Sequence, residues 1–214
     1  MKKKIDLPKK IPVFPLANFI IFPEMTVPLN IFEPRYIEMI NHSMKNNRMI
    51  GMIQPKKMPD KSKTGLYEIG CLGKITSFDE TEDGRYSIIL KGVSRFKIVN
   101  ELKNNKSYRE CEVDFKEFED DVKLDTKKNE QLNLETIFKN LKLLFKKRGY
   151  VVNLKELEKQ NISETINTLS MSAPFLLEEK QALLESQNLN SRKNNLEKIL
   201  KTYIADNFNN TTIQ

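Results

Sequence analysis

Hydrophobic and polar positions change period once along the 214 residues. Up to Phe118 the apolar residues fall in short β-branched or aromatic runs bounded by Pro, Gly, Asn and Asp. That pattern predicts strands over Val13–Ala17, Thr26–Phe32, Met49–Gln54, Ile69–Phe78, Arg85–Lys91, Arg95–Glu101 and Arg109–Lys116. The last shows the cleanest alternation, with Cys111, Val113 and Phe115 on one face and Glu110, Glu112, Asp114 and Lys116 on the other. Glu82-Asp83-Gly84 supplies a hairpin turn in which Gly84 is free to take positive φ. One helix is expected among the strands, over Pro34–Asn46, with Pro34 suited to the first turn and Ile37, Ile40 and Met44 at helical spacing.

After Phe118 the stretch Glu119–Gln131 carries charge without β pattern and reads as a linker. Next, Leu134, Ile137, Phe138, Leu141, Leu144 and Phe145 line one face of a helix that stops near Gly149. Asn153 and Glu156 have capping-box spacing for a short helix, and Ser163–Met171 and Leu176–Glu185 read as two more, separated by Pro174. A final helix, Ser191–Asp206, places Leu196, Ile199, Leu200, Tyr203 and Ile204 on one stripe. The resulting layout is α+β in chain order: a basic tail over 1–10, a β unit over 11–118, a linker over 119–131, helices over 132–206 and a frayed tail over 207–214.

Charge changes this picture little. The formal net charge is +7. Residues 1–118 hold 21 bases and 15 acids, a net +6, but residues 1–10 supply +4 of it and residues 55–65 another +3, leaving −1 elsewhere in that half. The basicity therefore sits in a tail and an expected loop. With 29 Lys against 7 Arg, the surface looks solvated rather than built to grip phosphates, so nucleic acid is not the expected partner. The apolar runs, such as Phe19–Phe22, are far short of the roughly 20 residues that span a bilayer. Pro12, Pro15 and Pro23 interrupt any signal-type helix after the basic start, and two cysteines make no disulfide framework, so a cytoplasmic protein with no membrane partner is expected.

Candidate chemistry is thin. Gly73-Lys74 is followed by Ile75, and Glu68 occupies the earlier glycine position, so the phosphate-loop pattern fails. Gly70-Cys71-Leu72-Gly73 lies inside a strand pattern, where a bulge or close packing explains the glycines. His42 falls mid-helix among polar neighbours, Cys111 on an apolar strand face and Cys71 in an apolar run. No nucleophile–base pair and no metal-ligand spacing emerge. The expectation is no enzyme, no catalytic residue, no cofactor and no metal.

The densest signal is the opening block IPVFPLANFIIFPEMTVPLNIFEPRY. Phe14-Pro15-Leu16, Phe22-Pro23, Pro28-Leu29 and Ile31-Phe32-Glu33-Pro34-Arg35-Tyr36 resemble, in order, the opening motifs of the N-terminal domain of ATP-dependent Lon proteases. Tyr67-Glu68-Ile69-Gly70, Asp83-Gly84-Arg85 and Lys91-Gly92-Val93-Ser94-Arg95-Phe96 resemble its later blocks, and Glu178–Glu185 its helical portion, so the likeness spans roughly residues 11–204. Glu24 departs from the pattern, where the family commonly carries Gly after Phe-Pro.

The resemblance implies a PUA-like β pseudo-barrel with one inserted helix, followed by a C-terminal helical bundle. It implies a non-catalytic module that binds polypeptide, without the ATPase and peptidase modules of the full proteases. Unfolded or extended polypeptide is the implied partner, with a protease complex or self-association as further possibilities and an RNA-binding PUA-like module as the alternative. A partly open barrel can take an extended segment by strand addition or in an apolar groove. Phe14, Leu16, Phe19, Ile20, Phe32 and Tyr36 are the candidate contacts, each also suited to plain core packing. Among the motif residues, Glu33 and Arg35 suit a salt bridge or cap at the start of the helix, and Arg95 beside Phe96 suits an ion pair at a strand end.

Overall fold

A computed structural model describes residues 6–58, 64–122, 132–147 and 154–209. The chain divides into two compact units, Met1–Asp125 and Thr126–Gln214. In the first, β1 (Lys10–Pro15), β2 (Thr26–Ile31), β3 (Met49–Ile53), β4 (Pro55–Lys57), β5 (Thr64–Leu66), β6 (Ile69–Glu80), β7 (Tyr86–Leu102) and β8 (Arg109–Asp114) surround a single helix, α1 (Pro34–Met44). The main sheet has the order β2-β7-β6-β3-β1-β8, and β8 pairs again with the far end of β7. The sheet thus curls onto itself while β2 stays outside the ring, giving the expected pseudo-barrel rather than a closed barrel.

Strand patterns follow position in this ring. β3, lying between β1 and β6, is buried at all five positions, MIGMI, as a strand covered on both faces should be. β2 alternates, with Val27, Leu29 and Ile31 inward and Thr26, Pro28 and Asn30 outward. One core joins Ile11, Val13, Met49, Ile53, Leu72, Phe96, Cys111 and Val113. Phe96 explains one glycine of the Gly70-Cys71-Leu72-Gly73 run: a Cβ on Gly70 would stand 2.6 Å from its ring, and one on Gly73 would stand 2.5 Å from Leu90.

Three details differ from the sequence pattern. The strands expected at Arg85–Lys91 and Arg95–Glu101 are one continuous β7 of 17 residues. Gly73 pairs with Gly92 and Leu72 with Ser94, so Val93 is an extra residue in a bulge within the one strand. The basic stretch expected to be a loop forms a ribbon, with Lys56 opposite Gly65 and Lys57 opposite Thr64, and residues 59–63 lie outside the described residues. Finally, Glu119–Asp121 belong to a 3-10 helix, Lys116–Asp121, whose Phe118 is buried. The remainder of the expected linker, 123–131, lies outside the described residues, as do residues 1–5 of the basic tail.

The second unit contains α2 (Glu135–Lys147), α3 (Lys155–Glu158), α4 (Ile162–Ser172), α5 (Leu177–Leu184) and α6 (Leu189–Asn209). Ile137, Leu141, Leu144, Ile166, Leu183, Leu196 and Leu200 share its core, with Ile199, Tyr203 and Ile204 packed half-buried against it. Asn161 caps α4 by accepting the Glu164 amide at 2.9 Å, and Asn188 accepts the Ser191 amide at 2.9 Å in the first turn of α6. Buried Arg192 ties three helices, donating to Asn167 Oδ1 at 2.7 Å and to the Leu183 carbonyl at 3.2 Å. Residues 207–209, expected to fray, continue α6. Gly149, Asn153 and residues 210–214 lie outside the described residues.

Candidate polypeptide-binding edge

Pro12, Pro15, Pro23 and Pro28 keep helix out of the segment from Ile11 to Pro28, and two left-handed residues, Asn18 (φ 58°) and Glu24 (φ 66°), sit in the turns that bring it back between β1 and β2. The return is fixed by backbone bonds: Leu16 N to the Ile53 carbonyl at 2.9 Å, Glu24 N to the Gly92 carbonyl at 3.0 Å and Gly92 N to the Met25 carbonyl at 2.8 Å. The chain crosses β7 so closely that a Cβ on Gly92 would lie 2.1 Å from the Phe22 carbonyl oxygen. Ile20, Ile21 and Phe22 are therefore core residues.

The six candidate contacts do not form one exposed patch. Phe14, Ile20 and Tyr36 are buried, with the Phe14 and Tyr36 rings 4.2 Å apart. Leu16 and Phe19 are half-buried, while Phe32 is 63% exposed immediately after β2. Glu33 is the N-cap residue of α1 but its side chain caps nothing, and Pro34 follows at N1. The Glu33 carboxylate instead takes Arg35 Nη2 at 2.7 Å, and the Arg35 guanidinium lies 4.5 Å from the Tyr36 ring centre. Burial raises the Tyr36 hydroxyl pKa.

Gly84, at φ 78°, makes the β6–β7 turn. There the Thr81 hydroxyl and the Arg85 amide donate to Asp83 and hold its carboxyl below the usual range. Arg85 also sits 6.0 Å from the Phe32 ring. Between this turn and Asn30 on β2 opens a cavity of about 520 Å³, walled also by Tyr86 and Ser87. Arg95 lies elsewhere and is 3% exposed. Its Nε and Nη2 grip the Asp121 carboxylate at 2.9 Å each, its amide donates to the same group at 2.9 Å, and its guanidinium lies 4.2 Å from the Phe118 ring centre. Phe96 is fully buried.

The edge of the sheet completes the site. Among the described residues β2 pairs with β7 alone, so its other side carries unpaired backbone. Sequence reasoning did not single out this edge, although Pro28 within an alternating strand is its signal, because proline is tolerated in strands chiefly at edges. Other chemistry finds little support in the described residues. Burial pushes the Cys111 thiol from 9.0 to about 11, so it stays protonated at neutral pH. Among the described residues no group of three His, Cys, Asp or Glu could hold a metal, and no helix is long and apolar enough to cross a membrane.

Residues 10–202 match the family of the ATP-dependent protease La (LON) substrate-binding domain. The chain belongs to that family. It is 29% identical over 205 residues to Lon protease 1 of Hydrogenovibrio crunogenus and 25% identical over 198 residues to Lon protease 2 of Myxococcus xanthus. Those alignments cover 93% and 88% of this chain but only 24% and 23% of the relatives, so the chain spans about a quarter of their length. The fold matches a Lon N-terminal domain protein from Xanthomonas campestris, with TM-score 0.60 and 19% identity, over 90% of this chain and 97% of that one. It also matches the N-terminal domain of Mycobacterium avium complex Lon protease, with TM-score 0.60 and 16% identity, over 92% and 99% respectively. Glu24, the position at which the resemblance led us to expect Gly, sits at φ 66°, in the left-handed region that favours glycine.

Proposed function

We propose that the chain is a non-catalytic recognition domain that binds unfolded or extended polypeptide, as an adaptor or substrate receptor in protein quality control. The observation that carries the reading is the substrate-binding-domain match over residues 10–202. An exposed aromatic, Phe32, beside an unpaired strand edge agrees with it. The partner is client polypeptide, delivered either to a protease complex or within a self-associated assembly. Two buried free cysteines suit a cytoplasmic setting. The test is fluorescence anisotropy with a reduced, carboxymethylated protein, its native folded form and a single-stranded RNA of similar length. Salt-tolerant binding of the unfolded protein alone supports the reading. Preference for RNA, or equal affinity for the folded form, overturns it.

A further inference from the structure

We propose that β2 is the acceptor strand: a client segment pairs along its free edge as an added strand whose apolar residues alternate. This rests on the polypeptide-binding reading and assigns it a place and a sequence requirement. In an antiparallel pair, successive positions alternate between exchanging both backbone bonds and exchanging none. The bond from Gly92 N to the Met25 carbonyl, 2.8 Å, sets the phase of the β2–β7 ladder. Val27, Leu29 and Ile31 then bond to Leu90, Ile88 and Tyr86, while Thr26, Pro28 and Asn30 face Lys91, Ile89 and Ser87 without bonding. The Ile89 carbonyl confirms the phase from the other side, because it accepts the Thr76 hydroxyl of β6 at 3.1 Å.

The amides and carbonyls of Thr26 and Asn30, and the carbonyl of Pro28, consequently point to the free edge. An antiparallel guest can make two bonds with Thr26, two with Asn30 and one with Pro28, five of the six an unbroken strand would allow. Directly opposed side chains share a face. Guest residues opposite Val27, Leu29 and Ile31 extend the inner apolar row; those opposite Thr26, Pro28 and Asn30 face outward, where Ile89 is 42% exposed, and can be polar. The six-residue strand spans about 20 Å, and Phe32 offers an aromatic contact just beyond its end. Pro28 also argues for a guest over a second copy of this chain. Two β2 strands paired together would each lack the Pro28 donor, whereas a proline-free guest meets only one gap.

The experiment titrates an alternating Val/Thr octapeptide into the full chain carrying Asn30→Pro, with Asn30→Ala as control, and confirms folding by circular dichroism. By the phase above, Asn30→Pro removes an outward donor and no ladder bond. It should weaken binding about fivefold, while Asn30→Ala stays near wild type. The same titration with octapeptides N-methylated at alternate positions settles the matter should the proline variant misfold: methylation in one phase should abolish binding and in the other leave it. Binding that is the same in Asn30→Pro as in wild type, and that does not depend on the methylation phase, overturns the edge assignment but leaves polypeptide binding standing. Failure of the wild type to bind either the octapeptide or an unfolded protein defeats the underlying reading itself.

Discussion

Replacing Asp121 with alanine would take from the buried Arg95 guanidinium the carboxylate that it grips with two nitrogens. Arg95 is 3% exposed and the Asp121 side chain 11%, so water cannot readily substitute. Three bonds disappear together, from Nε, Nη2 and the Arg95 amide, each 2.9 Å long. Removing one member of a buried pair costs about 3–5 kcal/mol, because the remaining charge loses the carboxylate that offsets its desolvation. The Phe118 ring, 4.2 Å from the guanidinium, stays and keeps about 1 kcal/mol of cation–π attraction, which points to the lower end, about 3 kcal/mol. With a urea m-value near 2 kcal/mol/M, the β-unit midpoint should fall by about 1.5 M. Arg95→Met combined with Asp121→Leu should regain most of that loss, since apolar residues of similar volume replace a buried pair at little cost. A midpoint shift below about 0.3 M for Asp121→Ala would refute the reasoning. So would a double variant no more stable than the single.

Glu24→Gly should stabilise the protein by about 1 kcal/mol, because glycine takes φ 66° without strain and only the exposed Glu24–Lys91 bridge is lost; a melting temperature that falls counts against it. Burial raises the Cys111 pKa to about 11, so its contribution is fully present below pH 9, the unfolded value, and is lost as pH rises through about 11. Urea midpoints from pH 8 to 11 should therefore fall more steeply in wild type than in Cys111→Ala, and parallel curves would contradict this. Leu200→Asp puts a charge into the fully buried helical core and should cost about 4 kcal/mol. Unfolding followed by circular dichroism should show that loss in the helical transition, and a variant within 1 kcal/mol of wild type would place Leu200 outside the core.

Much of the architecture was visible in the sequence because local rules suffice for it. Cys111 and Val113 alternate inward as their period requires, Gly84 takes positive φ in its turn, and the helical stripe around Leu196 and Leu200 is buried. Features that depend on distant partners were not. Gly92 reads as a strand break, yet it serves the close crossing of Phe22 and β7 runs straight through it. The lysines of β4 hide a ribbon, since their pairing is backbone only. Asp121 looked like part of a solvated linker because its partner, Arg95, lies 26 residues away. The candidate contacts show the same limit. Hydrophobicity marked all six residues, but only the alternation of Val27, Leu29 and Ile31 separates Phe32 from the core, by placing even-numbered positions outward.

Hydrogen–deuterium exchange of the full chain, with and without a saturating unfolded client or the alternating octapeptide, tests the central claim most directly. Polypeptide binding at the β2 edge predicts slowed exchange of the Thr26 and Asn30 amides, together with their immediate neighbours up to Phe32, while the helical unit is unchanged. Uptake that stays the same everywhere at saturating ligand, or protection confined to α2–α6, would contradict it.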